Sequence, residues 1–238
     1  KQGFVKVASA TPRIRVADPV YNAQVICEQA KEAAEHGAKI VVFPELCITG
    51  YTCNDLFLQE LLLEKAKEAL LTIAEETGQL ETLFLVGLPV DKDGRLYNVA
   101  AVLYRGRILG MIPKKNIPMY AEFYEGRHFT PGEETVTEYR LGKQVIPFGS
   151  NLLFRCEELP ELILGCELCE DLWVAEPPST SHALMGATVI ANLSASNETV
   201  SKDDYRTLLI KASSARLLCG YIYTSAGEGE STQDLVFG

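Results

Sequence analysis

The sequence predicts an α/β fold in which two β-sheets pack face to face with helices on the outside. Three observations carry this expectation: helix-like and strand-like segments alternate at both ends of the chain, hairpin signals occupy the middle, and the count of strands fits two sheets. The composition is ordinary for a globular domain, with 238 residues, 47% hydrophobic and 23% charged, which is enough for one large core and one undivided domain.

The elements follow in order. Phe4 to Ala8 reads as a first strand. Asp18 to Gly37 reads as a helix, with Asp18 as N-cap, Pro19 at the first helical position and Gly37 as the stop. Ala38 to Phe43 is an apolar strand ending at Pro44-Glu45. Asp55 to Thr77 is helical, with a break near Glu60. Thr82 to Leu88 is a strand, and Asp93-Gly94 is a hairpin signal leading into Leu96 to Tyr104. Arg105-Gly106 turns the chain into Arg107 to Ile112. Pro113 to Pro131 is polar and aromatic without a clear period, as a long functional loop would be. Gln144 to Ile146, Leu152 to Phe154 and Leu162 onward are strands. Pro177 to Met185 is a helix, Val189 to Leu193 a strand, and Ser201 to Leu218 a long helix closed by Gly220. Tyr221 to Ser225 and Asp234 to Phe237 are the last strands. The chain stops at Gly238 inside an apparent strand, as a piece of a longer protein would.

Charge and residue usage exclude several classes. A net charge of -10 with no basic stripe argues against nucleic acid as a partner. No apolar run is long enough to span a bilayer, and the first residues lack a signal-peptide pattern. Seven scattered cysteines suggest reduced thiols and a cytoplasmic setting. His36, His128 and His182 are far apart and show no metal-ligand spacing, so a base for a nucleophilic thiol is expected from a carboxylate.

The chemistry centres on Leu162-Ile-Leu-Gly-Cys-Glu-Leu-Cys-Glu-Asp-Leu-Trp173, an apolar strand that turns polar at Cys169. A thiol at the rigid end of a buried strand is placed as a nucleophile, given a group that takes its proton. Glu45 also ends a buried strand, where a carboxylate acquires a raised pKa suited to a general base. One of Lys114 and Lys115 can enter the same pocket and stabilise an oxyanion. Cys166 reads as a small core residue, and Cys47 is a rival nucleophile only if Glu45 is not the base. Gly227-Glu228-Gly229-Glu230 reads as a turn, since two acids and no lysine do not make a phosphate loop.

Taken together, Phe43-Pro44-Glu45, Lys114 and Cys169 resemble the Glu-Lys-Cys triad of the nitrilase superfamily of carbon-nitrogen hydrolases. Pro113 to Glu125, Glu167 to Trp173 and Glu230 to Phe237 resemble, more closely, segments of the glutaminase (glutamine amidotransferase) domain of glutamine-dependent NAD synthetases, with departures at Met119 and Asn197-Glu198. The resemblance implies a nitrilase-like four-layer α-β-β-α sandwich over 1–238. It implies Glu45 as base, Lys114 as oxyanion partner and Cys169 as nucleophile. Glu125 would be a second glutamate supporting the lysine, because it lies six residues before Pro131-Gly132, with Glu122 as its rival. Tyr51, Tyr120, Glu170, Ser196 and Arg206 would contact glutamine. The domain itself would need no cofactor. ATP and Mg would belong to a C-terminal synthetase domain of the same polypeptide, absent from this chain, which has no Ser-Gly-Gly-x-Asp-Ser loop. A homo-oligomer is expected. The alternatives are a stand-alone amidase or carbamoylase of the same superfamily, and an inactive interaction module on this fold.

Overall fold

The computed structural model describes residues 3–230 and 235–237. Its strands are β1 (Val7–Ser9), β2 (Ile40–Val42), β3 (Leu83–Lys92), β4 (Arg95–Tyr104), β5 (Arg107–Pro113), β6 (Thr137–Leu141), β7 (Gln144–Phe148), β8 (Phe154–Arg155), β9 (Ile163–Leu168), β10 (Val189–Ser194) and β11 (Gly220–Ser225). The helices are α1 (Pro19–Glu35), α2 (Glu60–Glu76), α3 (Pro178–Leu184) and α4 (Lys202–Leu217). The larger sheet has the order β1-β2-β3-β4-β5-β7-β6 and the smaller the order β11-β10-β9-β8.

Side-chain alternation along the strands builds the layers. Val41, Phe84, Val86 and Leu88 face outward from the large sheet and pack against Ile26 and Ala30 of α1 and Leu70 and Ile73 of α2. The residues between them, Ile40, Val42 and Leu85, face the other way. They meet Leu164, Cys166, Leu168, Ala191 and Leu193 of the small sheet in a second core. Ile190 and Tyr221 turn to the far side, against Ala183 of α3 and Leu217 of α4. The result is helix, sheet, sheet, helix, the four-layer sandwich. Among the described residues, no helix is long and apolar enough to cross a membrane.

Local chemistry explains most element ends. Asp18 caps α1 by accepting from the Tyr21 N–H at 3.1 Å. Gly37 follows with φ 82°. The break near Glu60 is real: a 3-10 turn over Tyr51–Leu58 precedes α2. Three expectations need correction. A strand at Thr137–Leu141 escapes the sequence reading, although Tyr139 and Leu141 alternate inward. Gly220 does not close α4. Leu218 takes the left-handed conformation at φ 54°, and Gly220 opens β11. Of the strand expected at Asp234–Phe237, Asp234 lies outside the described residues, and Phe237 makes only an isolated bridge with Asn197.

The parallel strands β2, β9 and β10 all run toward one edge of the sandwich. Their carboxyl ends form the crevice where open α/β sheets place ligands. Here the turn Pro44–Leu46 lies directly on Gly87 of β3: a Cβ at residue 87 would sit 2.3 Å from the Leu46 nitrogen and 2.5 Å from the Pro44 oxygen. Gly87→Ala is therefore expected to destabilise the fold by roughly 1–3 kcal/mol, as overpacking does, measured by equilibrium urea unfolding. An unchanged midpoint would show that this turn shifts freely.

Candidate active site

Three strand ends and one loop deliver the site. Glu45 follows β2 by three residues, and its N–H donates to the Ser194 carbonyl at 3.3 Å, which ties the two sheets together at this edge. Lys114 follows β5 directly. Its N–H donates to the Asn98 carbonyl at 2.8 Å, and its own carbonyl accepts from Gly132 at 2.7 Å. Glu125 opens a 3-10 turn in the long loop. Cys169 begins the turn after β9, with φ 38°, a left-handed conformation that a non-glycine residue holds only when its surroundings fix it.

The Lys114 side chain is fully buried, at 0% exposure. Its Nζ donates to Glu45 Oε1 at 2.7 Å and to Glu125 Oε1 and Oε2 at 2.7 and 2.9 Å. Glu45 Oε1 also accepts from Asn98 Nδ2 at 2.7 Å, and its Oε2 from the Ala195 N–H at 2.9 Å. Tyr51 Oη donates to Glu125 Oε1 at 2.8 Å. Two buried carboxylates thus share one ammonium. Burial, and after it the nearby Glu125 charge, raise the Glu45 pKa to about 7, against the opposing pull of Lys114. Burial pushes the Cys169 thiol well up, with Glu45 adding to the rise and Lys114 opposing it, so the three groups feel one another electrostatically. A base near neutrality beside a protonated thiol can take that proton as attack proceeds.

A cavity of about 290 Å³ opens onto Cys169. Its lining includes Tyr120, Glu122, Phe123, Glu170, Trp173, Ser196, Asn197 and Lys202. Tyr120 Oη donates to the Glu170 carboxylate at 2.9 Å. Lys202 Nζ donates to Asn197 Oδ1 and lies 5.3 Å from the Trp173 ring centroid. Burial lowers the Lys202 pKa. The cavity therefore presents a carboxylate and an ammonium as well as the thiol.

The structure sorts the candidates named from sequence. It brings Glu45, Lys114, Glu125 and Cys169 into one cluster and places Tyr120, Glu170 and Ser196 on the cavity wall. Glu122 lines the cavity but is not an acceptor for the Lys114 ammonium, which donates to Glu45 and Glu125; it accepts from Asn197 Nδ2. Tyr51 belongs to the Glu125 hydrogen-bond set rather than to the cavity lining. Arg206 is corrected: its guanidinium pairs with Glu198 at 2.6 Å and Asp203 at 3.4 Å and reaches Ser196 Oγ at 3.3 Å, so it braces the wall without lining it. Lys202, one helical turn earlier, takes the cationic place. A signal existed for it, since a lysine in the first turn of a helix opposes the helix dipole and needs another reason to be there. Lys115 turns outward to Glu134. Cys166 lies in the core between the sheets. Cys47 is buried with its pKa pushed up to about 12, away from the cavity.

The chain belongs to the carbon-nitrogen hydrolase family, whose pattern matches residues 6–228. A curated relative from Mycobacterium tuberculosis, a glutamine-dependent NAD(+) synthetase, is 43% identical over 237 residues, covering 100% of this chain and 35% of the relative. Another of that name from Thermotoga maritima is 33% identical, covering 90% of this chain and 34% of its own length. The chain thus spans about a third of these relatives. Among solved structures, a glutamine-dependent NAD(+) synthetase from Cytophaga hutchinsonii superposes with a TM-score of 0.86 at 28% identity, over 98% of this chain and 37% of that one. An amidase from Nesterenkonia sp. shares the fold, with a TM-score of 0.72 at 21% identity over 98% of this chain and 79% of the amidase.

Two outcomes are expected of this cluster. The rate at which Cys169 is alkylated by a neutral electrophile should rise with pH through about 7, because a carboxylate can take the thiol proton only after losing its own. In Glu45→Gln that inflection should vanish and the rate should fall. Lys114→Met should lower turnover of an amide substrate by about 100- to 1,000-fold, the usual loss on removing an oxyanion partner. Lys115→Met, at the surface, should stay close to wild type; the reverse pattern would put the wrong lysine in the site.

Proposed function

We propose that this chain hydrolyses the side-chain amide of glutamine and supplies the ammonia for ATP-dependent amidation of deamido-NAD to NAD. The observation that carries the reading is the cavity in which Cys169 shares walls with Glu170 and Lys202. Free glutamine offers an amide for the thiol, an α-ammonium for a carboxylate and an α-carboxylate for an ammonium. The similarity to glutamine-dependent NAD(+) synthetases over the full chain supports it.

The steps use the groups present. Glu45 takes the Cys169 proton as sulfur attacks the amide carbon. The oxyanion is held by the Lys114 charge and the Glu170 N–H. The carbon–nitrogen bond then breaks, and Glu45 gives its proton to the departing ammonia, leaving a thioester. Water attacks the thioester carbon while Glu45 accepts its proton. The carbon–sulfur bond breaks, the thiol regains the proton, and glutamate leaves. Glu125, held by Tyr51 and Asn98, keeps Lys114 aimed at Glu45.

The remaining two-thirds of the relatives' length supports a synthetase domain in the same polypeptide as the consumer of the ammonia, with ATP and Mg acting there. The seven free cysteines support a cytoplasmic setting. Leu184 and Met185 at the end of α3, and Tyr205 and Leu208 on α4, are exposed apolar side chains whose burial would support a homo-oligomer.

Substrate range tests the reading. Glutamine should be hydrolysed and simple aliphatic amides rejected, because a site built on polar recognition discriminates strongly against analogues lacking those groups. Lys202→Met should raise the KM for glutamine by roughly 10- to 100-fold, the worth of one charge-assisted hydrogen bond, with a smaller effect on kcat. Hydrolysis of acetamide as fast as glutamine would contradict the proposal.

A further inference from the structure

Asp171 lies two residues beyond Cys169, is 1% exposed, and has only neutral donors around it. Its Oδ2 accepts from the Leu168 N–H at 3.1 Å. Its Oδ1 accepts from both the backbone N–H and the side-chain Nδ2 of Asn116, each at 2.8 Å. The Lys115 N–H lies 3.5 Å from Oδ2, at the limit of a hydrogen bond. Leu168 immediately precedes the nucleophile, and Lys115 and Asn116 immediately follow the catalytic lysine. A single buried carboxylate is thereby fastened to the residues beside both reacting groups.

Two features show why that attachment matters. The turn that carries Cys169 stores backbone strain, with φ 38° at a residue that has a Cβ. The bond from Asp171 back to Leu168 closes that turn in the manner of a capping box and holds the strained conformation in place. The lysine side is a loop: after Pro113 the chain has no regular element until the short turn at Glu125. Lys114 is anchored at its own backbone to Asn98 and Gly132. These contacts fix Lys114 on its own sheet; the Asp171 bridge, with the Tyr120–Glu170 hydrogen bond farther along the loop, ties the lysine loop to the nucleophile turn.

We propose that Asp171 is a positioning residue that sets the distance and direction of the Lys114 ammonium and the Glu170 N–H relative to the Cys169 thiol, and so shapes the oxyanion site. This rests on Cys169 and Lys114 having the roles proposed above. Substrate binding through Glu170 and Lys202 is a separate function of the cavity. Loss of the bridge therefore acts on kcat, because a displacement of about 1 Å at a reacting group can cost about 100-fold in rate.

The test is a double-mutant cycle on glutamine hydrolysis. Asp171→Asn keeps the shape but puts an amino group where two N–H donors now point. Asn116→Ala removes one of the four donors and leaves the backbone bonds, so it keeps the test open if Asp171→Asn does not fold. The expected result is a fall in kcat of about 100-fold for Asp171→Asn and several-fold for Asn116→Ala, with KM for glutamine within about threefold of wild type. In a Lys114→Met background either change should cost clearly less than in the wild-type background, since one of the two partners it aligns is gone. A role in stability alone would give additive losses in that background, and this result, or an unchanged kcat, overturns the proposal. If wild-type protein does not react at Cys169 with a glutamine-derived diazoketone, the glutaminase reading itself fails, and the two failures are told apart.

Discussion

The Lys114 ammonium, buried completely and shared between Glu45 and Glu125, is the interaction on which the rest of the site depends. A buried charge is costly unless it is paired and hydrogen-bonded. One ammonium can neutralise only one of two carboxylates, so the second is under pressure to hold a proton. Burial is the larger cause and the Glu125 charge adds to it, so that Glu45 is left at about 7 against the opposing pull of Lys114. The arrangement raises the pKa of an ordinary glutamate to near neutrality without any histidine.

The fold is what makes the pairing possible. Glu45 comes from the large sheet, and its oxygen is held by the Ala195 N–H from the end of the small sheet. Lys114 directly follows β5, Asn98 lies on the adjacent β4, and Glu125 arrives from the loop. Residues distant in sequence are fixed by strands whose packing between two sheets leaves no freedom to drift. Strand ends carry Glu45, Lys114 and Cys169, and the wall of the cavity comes from loops and the first turn of α4.

How much of this was legible in sequence varies by residue for physical reasons. Glu45 and Cys169 stand out because each interrupts an apolar strand, and α1 stands out because Asp18-Pro19 and Gly37 mark both of its ends. Lys114 is separable from Lys115 by family resemblance; the residues alone leave either open, and only the fold shows Lys115 pairing outward with Glu134. The choice between Glu122 and Glu125 lies in a loop without a period, and depends on Tyr51 and Asn98, far away in the chain, converging on one of them. Lys202 and Arg206 sit on the same helix a turn apart, and their roles depend on which acids surround each one. The order of strands in the large sheet, with β7 joining β5 in parallel, is a long-range pairing that no local pattern encodes.

The central claim is that Cys169 is the nucleophile activated by this buried cluster. The most direct measurement is acid quenching of the protein during incubation with glutamine, followed by peptide mass spectrometry. The account predicts a glutamyl adduct on the peptide carrying Cys169, absent in Cys169→Ala. Hydrolysis of glutamine that continues in Cys169→Ala, or an adduct on Cys47 or Cys166 instead, would contradict it.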